Sequence, residues 1–102
     1  MAGKLSTKNK AKLRAIGQKR HDDCHLGKAG LSEKFLAFVN EQINSKELIK
    51  LRFEDVEGPM RKEMANDLAE ALDAHCVAVI GRTMLLYRPN PNLPLEKRIL
   101  GA

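Results

Sequence analysis

Apolar residues along this chain recur first at the spacing of a helix and then at the spacing of a strand, in short alternating blocks. Leu13 and Ile16 sit three apart behind Ser6, whose hydroxyl suits a helix N-cap; a first helix is predicted over 6–16, with Gly17 as its stop. A short strand over 23–26 follows, although His21-Asp22-Asp23-Cys24-His25 is polar for one. Ser32 is a second N-cap, and Phe35, Phe38, Val39, Gln42 and Ile43 trace one face of a second helix, read as core. Over 47–53, Ile49, Leu51 and Phe53 alternate with Lys50 and Arg52, the pattern of a strand buried on one face and basic on the other. After an acidic turn over 54–58, Pro59 fits the first position of a third helix. Met60, Met64, Leu68 and Leu72 then recur every four residues, beside Ala65, Ala69 and Ala71. A strand over 76–80, a Gly81-Arg82 hairpin turn and a returning strand over 83–88 complete the pattern. Pro89-Asn90-Pro91-Asn92-Leu93-Pro94 cannot continue sheet pairing. The chain therefore reads as one domain over 1–89 with an exposed Pro-rich tail over 90–102.

The order α-β-α-β-α-β-β predicts an α/β fold whose first three strands run the same way, joined by right-handed crossovers. Their C-terminal ends share one rim, the usual place for ligands in an open α/β sheet. Leu26-Gly27-Lys28-Ala29-Gly30-Leu31 ends the first strand there, a Gly-x-x-Gly loop leading into a helix. Glycine permits tight turning and close approach to a ligand, and the helix start adds unpaired N–H donors. With a cation at Lys28 this makes an anion site, of the kind that clamps nucleotide backbone in one RNA-binding fold. The motif alone is weak, and an ordinary tight turn has the same spelling. Topology brings Arg82 to the same rim, but also Glu54, Asp55 and Glu57, which repel phosphate unless Arg61 and Lys62 neutralise them.

The 102 residues suit a single domain, with 43% hydrophobic and 30% charged residues. No run approaches the roughly 20 apolar residues of a membrane span. The basic N-terminus is followed by no apolar stretch, so a cytoplasmic protein with Cys24 and Cys76 as reduced thiols is expected. The net charge of +5 is uneven: the seven charged residues through Arg20 are all basic, twelve of the thirteen acids fall between His21 and Gly81, and the end is basic again. Basic ends suit a polyanionic partner, while a solvated helix face explains a lone basic helix equally well.

Four stretches resemble a known family: Leu5-Ser6-Thr7-Lys8, the glycine loop, Glu47-Leu48-Ile49-Lys50-Leu51, and Ile80-Gly81-Arg82-Thr83 running into Leu86-Tyr87-Arg88-Pro89. In order and spacing the chain resembles stand-alone bacterial CRM-domain proteins of the YhbY type. The resemblance implies a two-layer α/β fold with a four-stranded mixed sheet, similar to the C-terminal domain of translation initiation factor three. It implies RNA binding: bacterial relatives associate with precursors of the large ribosomal subunit, and plant relatives act in group II intron splicing. It assigns Gly27, Lys28, Ala29 and Gly30 to the RNA-backbone loop, and Arg82 and Arg88 to a second basic stretch. The family's first strand is usually apolar; Asp22, Asp23, Cys24 and His25 depart from that, which predicts a shorter or more exposed strand here.

Other chemistry fits less well. His21, Cys24 and His25 form one cluster of zinc-type ligands and His75 with Cys76 another, but their spacing matches no common zinc pattern, and the implied fold puts them at opposite sheet edges. His75 reads as a helix-end residue and Cys76 as core. Asp22-Asp23 or Glu54-Asp55 are of the type that holds magnesium, yet no nucleophile, base and orienting group occur together. Tyr87 either stacks on a base or packs against Leu85, with packing favoured. The basic first helix lacks the large apolar face of a membrane-surface helix. The expectation is a monomeric, non-enzymatic protein without cofactor that binds ribosomal RNA through the glycine loop, Arg82, Arg88, Lys8 and Lys12 of the first helix, and Lys50 and Arg52 of the open strand face. Ribosomal proteins are possible further partners, and a protein-binding adaptor on the ribosome is the rival reading.

Overall fold

The structure, a computed structural model, describes residues 5–27 and 29–101. In chain order it contains α1 (Thr7–Gln18), β1 (Cys24–Leu26), α2 (Glu33–Lys46), β2 (Leu48–Phe53), α3 (Gly58–Ala71), β3 (His75–Ile80), β4 (Thr83–Tyr87) and a single 3-10 turn at Leu95–Lys97. The sheet order is β1-β2-β4-β3, with β1 parallel to β2 and β4 antiparallel to both β2 and β3. The first three strands therefore share one direction, and β1 and β3 lie at opposite edges, which separates the two His/Cys clusters.

Local signals set the element ends. Ser6 Oγ accepts the Asn9 N–H at 3.1 Å and Ser32 Oγ accepts the Phe35 N–H at 3.1 Å, each supplying a partner for an orphan donor. Pro59 stands in the first turn of α3. The polar approach to β1 is stabilised by one carboxylate. Asp23, its side chain only 9% exposed, accepts the Lys50 N–H and the Lys46 ammonium, each at 2.8 Å. The strand itself keeps three residues, and only Leu26 is fully buried.

One sheet face buries Leu26, Ile49, Leu51, Phe53, Met84 and Leu86 beneath α2 and α3, forming the main core. The other face is shared. Leu48, Val77, Leu85 and Tyr87 pack with Leu13 of α1, joined at the edge by Ile99 and Leu100. The remaining half, toward the C-terminal ends of β1–β3, carries Arg52 uncovered.

Several expectations are corrected. Gly17 does not stop α1; it is buried inside it, and a Cβ there would stand 2.5 Å from Leu85 Cδ2. Its role is close approach of helix to sheet. Phe38 is 44% exposed because α2 buries a narrower stripe through Val39 and Ile43, with Leu36 beside it, and Met60 is 48% exposed in the first turn of α3, which buries Ala65, Leu68 and Ala69 further along. Ala71 is also exposed. His75 belongs to β3, where it stacks on Tyr87 at a ring separation of 6.2 Å. Burial, then the nearby Lys10, pushes its pKa down, so it is no helix-end cation. The tail is not free along its length. Residues 91–97 are largely exposed, but residues 98–101 fold back. The buried Glu47 carboxylate holds both ends of the tail, accepting the Asn90 N–H at 2.6 Å and the Ile99 N–H at 2.7 Å.

Candidate functional site

The three loops at the C-terminal ends of β1, β2 and β3 lie side by side, tied together by backbone. The Glu54 N–H donates to Leu26 O at 2.9 Å, and the Phe53 N–H donates to Arg82 O at 2.7 Å. The glycine loop, the acidic turn and the hairpin turn thus form one continuous rim, with the acidic turn in the middle. Lys28 lies outside the described residues. Gly30 has φ of 78°, a left-handed conformation that favours glycine, and its N–H closes a turn onto Gly27 O at 3.1 Å. Gly27 lacks such a φ, and a Cβ there would come no nearer than 4.0 Å to Glu54 O, so its contribution is open backbone rather than forced geometry. The N–H groups of Ala29, Leu31, Glu33 and Lys34 have no acceptor among the described residues, leaving donors at the start of α2.

Gly81 takes φ of 57° in the hairpin turn, which leaves Arg82 exposed at its tip. The two turns are locked by a residue that the sequence pattern did not single out for this task. Arg61, from the first turns of α3, donates from Nε to Val56 O at 2.8 Å and from Nη1 to Gly81 O at 3.1 Å. These donors go to carbonyls, and among the described residues Arg61 forms no ion pair with Glu54, Asp55 or Glu57, the acids whose neutralisation the sequence leaves open. Glu54 instead meets His25, with Nδ1 to Oε1 at 2.6 Å. Between the turns opens a cleft of about 620 Å³, lined by Arg52, Phe53, Glu54, Asp55, Val56, Glu57, Arg61 and Arg82.

The other candidate residues are dispersed. Arg52 points to the α1 side of the sheet beside the rim, with Asp22 at 3.8 Å. Lys50, half-buried on the same face, donates to Arg20 O at 3.2 Å, so its charge sits at the C-terminal end of α1. Lys8 and Lys12 are exposed on α1. Arg88 lies at the opposite rim and is internally committed: Nη1 donates to Leu72 O at 2.7 Å, while Nη2 donates to Asn40 Oδ1 at 2.8 Å and Asn44 Oδ1 at 2.7 Å. The geometry gives it a bracing role between α2, the end of α3 and β4. Tyr87 is buried with Leu85. Neither thiol is activated: burial, reinforced by Asp23, pushes Cys24 up to about 11, and burial raises Cys76 as well.

Comparison with known proteins agrees with this architecture. The model of the CRS1 / YhbY (CRM) domain matches residues 5–88. An RNA-binding protein of Haemophilus influenzae is 29% identical over 92 residues, covering 90% of this chain and 93% of that protein. A probable RNA-binding protein of Methanocaldococcus jannaschii is 36% identical over 93 residues, covering 84% of this chain and 65% of that longer protein. A Staphylococcus aureus protein proposed to bind RNA has a solution structure similar to this fold, with a TM-score of 0.77 and 28% identity, over 87% of this chain and 93% of that one.

Proposed function

The chain belongs to the CRS1/YhbY (CRM) domain family, and from that membership and the rim geometry we propose that it is an RNA-binding protein. Its target is structured ribosomal RNA during assembly of the large subunit, and it acts by positioning rather than by catalysing a reaction. The observation that carries the proposal is the alignment of the glycine loop and the Arg82 turn on one rim through the end of β2. Backbone donors of the loop and the start of α2 would hold a phosphate, with Lys28 and Arg82 neutralising its charge. Arg52 extends that surface onto the sheet face. Lys8 and Lys12 add attraction at longer range, and Lys50 a weaker contribution because its ammonium is already hydrogen-bonded. Arg88 contributes least in this reading, because its guanidinium is already hydrogen-bonded within the protein. Among the described residues no helix is long and apolar enough to cross a membrane.

The test is fluorescence anisotropy with large-subunit ribosomal RNA fragments across a salt series, for wild type, Lys28→Glu and Arg82→Glu. Wild-type affinity should fall steeply with salt, and each variant should bind about tenfold or more weakly, with the salt slope reduced by roughly one or two. Two variants that bind like wild type would refute the rim assignment. A wild type that ignores RNA yet retains a ribosomal protein partner after RNase treatment would favour the adaptor reading.

A further inference from the structure

The tip of the β3–β4 hairpin carries Arg82, yet little packing holds it. Gly81 and Arg82 are both exposed, and a Cβ at Gly81 would meet nothing within 4 Å. Successive carbonyls of this tip nevertheless each accept a hydrogen bond. Ile80 O accepts the Thr83 hydroxyl at 3.0 Å, Gly81 O accepts Arg61 Nη1 at 3.1 Å, and Arg82 O accepts the Phe53 N–H at 2.7 Å. The first bond lies within the turn and the last within the sheet. Among the described residues, the middle bond alone reaches the tip from another layer, since Arg61 belongs to α3. The same guanidinium donates from Nε to Val56 O at 2.8 Å. Val56 is 8% exposed and belongs to the main core, which gives this brace a fixed base.

A hairpin tip held only by its own strand ends samples many orientations, and a ligand that needs one of them bears the ordering cost on binding. A guanidinium suits the task of preventing this, because its donors lie in one fixed plane and hold two carbonyls at a set separation. We propose that Arg61 is a positioning residue for RNA binding. It holds the Arg82 turn against the turn after β2, and so presents the Arg82 side chain in the orientation that meets a phosphate. The inference rests on the RNA-binding reading and deepens it, naming the residue that pre-organises one arm of the rim. Arg61 keeps its charge, so direct contact with a phosphate is the competing role. The two roles differ in how they depend on Arg82. A brace matters only while Arg82 is there to be presented, whereas a separate phosphate contact adds to that of Arg82.

The experiment is a double-mutant cycle on the intact protein, read by anisotropy with a large-subunit ribosomal RNA fragment. Arg61→Lys keeps the net charge but replaces the planar fork with a single flexible ammonium. It should weaken binding about fivefold, the scale of one newly mobile charged side chain, and leave the salt slope unchanged. In an Arg82→Ala background the same change should cost less than about twofold. In the free Arg61→Lys variant, hydrogen exchange at the Phe53 amide, which donates to Arg82 O, should quicken, while exchange at the Leu68 amide within α3 stays as in wild type. An equal cost in both backgrounds overturns the proposal, since direct phosphate contact or a general loss of structure gives that result. So does an Arg61→Lys variant that binds like wild type, or one whose Phe53 exchange is unchanged. If Arg82→Ala alone binds like wild type, the turn presents nothing to the RNA, and the inference fails while RNA binding stands. A wild type that binds no ribosomal RNA fragment rejects the RNA-binding reading and this inference with it.

Discussion

Replacing Glu47 by alanine should release the C-terminal segment and cost a large part of the fold's stability. This glutamate is fully buried, ends α2 with φ of 62° and leads directly into β2. Its two oxygens accept the Asn90 and Ile99 N–H groups, and Arg98 Nε lies 3.7 Å away. That Nε is buried without a hydrogen bond, so the carboxylate is also its nearest compensating charge. A hydrogen bond to a charged group is worth about 1.5–3 kcal/mol. Two such bonds bound the loss at about 3–6 kcal/mol, and the lower end applies if the freed tail rehydrates its amides. For a domain of this size about 3 kcal/mol corresponds to a fall in Tm of at least about 12 °C. Thermal and urea unfolding would measure the loss, and hydrogen exchange at the Ile99 amide would report detachment. Deleting residues 90–102 should cost much less in the Glu47→Ala background than in wild type, because both changes remove the same contacts. A variant within about 1 kcal/mol of wild type that keeps the Ile99 amide protected would refute the reasoning.

Further outcomes follow from the same packing. Arg88→Ala removes three internal hydrogen bonds and should destabilise the protein by about 1–3 kcal/mol while leaving RNA affinity within about twofold, as chemical denaturation and anisotropy would show. Ile43→Ala, at a fully buried position, should cost about 2–5 kcal/mol, whereas Phe38→Ala, at a 44% exposed one, should cost under about 1 kcal/mol in the same denaturation assay. Cys24 has its thiol raised by burial from 9.0 to about 11, so its contribution to stability is fully present below pH 9 and is lost as pH rises through about 11. A Cys24→Ala variant should show a shallower loss of stability across that window, and iodoacetamide should label Cys24 in the folded protein at pH 8 more slowly than in the unfolded chain.

The elements were legible because their signals are local. Ser6, Ser32 and Pro59 mark helix starts through neighbours a few positions away, and the alternation of Ile49, Leu51 and Phe53 reports a one-sided strand directly. Gly81 marks its turn through its own backbone preference. The misreadings share a different origin. Gly17 resembled a stop because the sequence does not reveal that Leu85, far along the chain, approaches its Cα. Phe38 sat on the predicted apolar face, but how wide a stripe α2 buries depends on α3 and the sheet beneath. The tail looked free because its anchors, Glu47 to Asn90 and Ile99, span 43 and 52 positions. The rim itself was readable from strand order, which placed the glycine loop and Arg82 together. What Arg61 does there was not, since a guanidinium beside three acids suggests ion pairs, and its use on two carbonyls emerges only from the folded geometry.

The central claim is that RNA is held on the rim formed by the loops after β1, β2 and β3. The most direct test is a titration of isotopically labelled protein with a large-subunit ribosomal RNA fragment, followed by amide NMR. The account predicts that the largest shifts fall in residues 27–34, 54–57 and 81–83, with smaller ones at Arg52, and that Glu47, Arg88 and Asn90 at the opposite end are unmoved. Shifts confined to α1, or centred on the Arg88 end of the sheet, would contradict it.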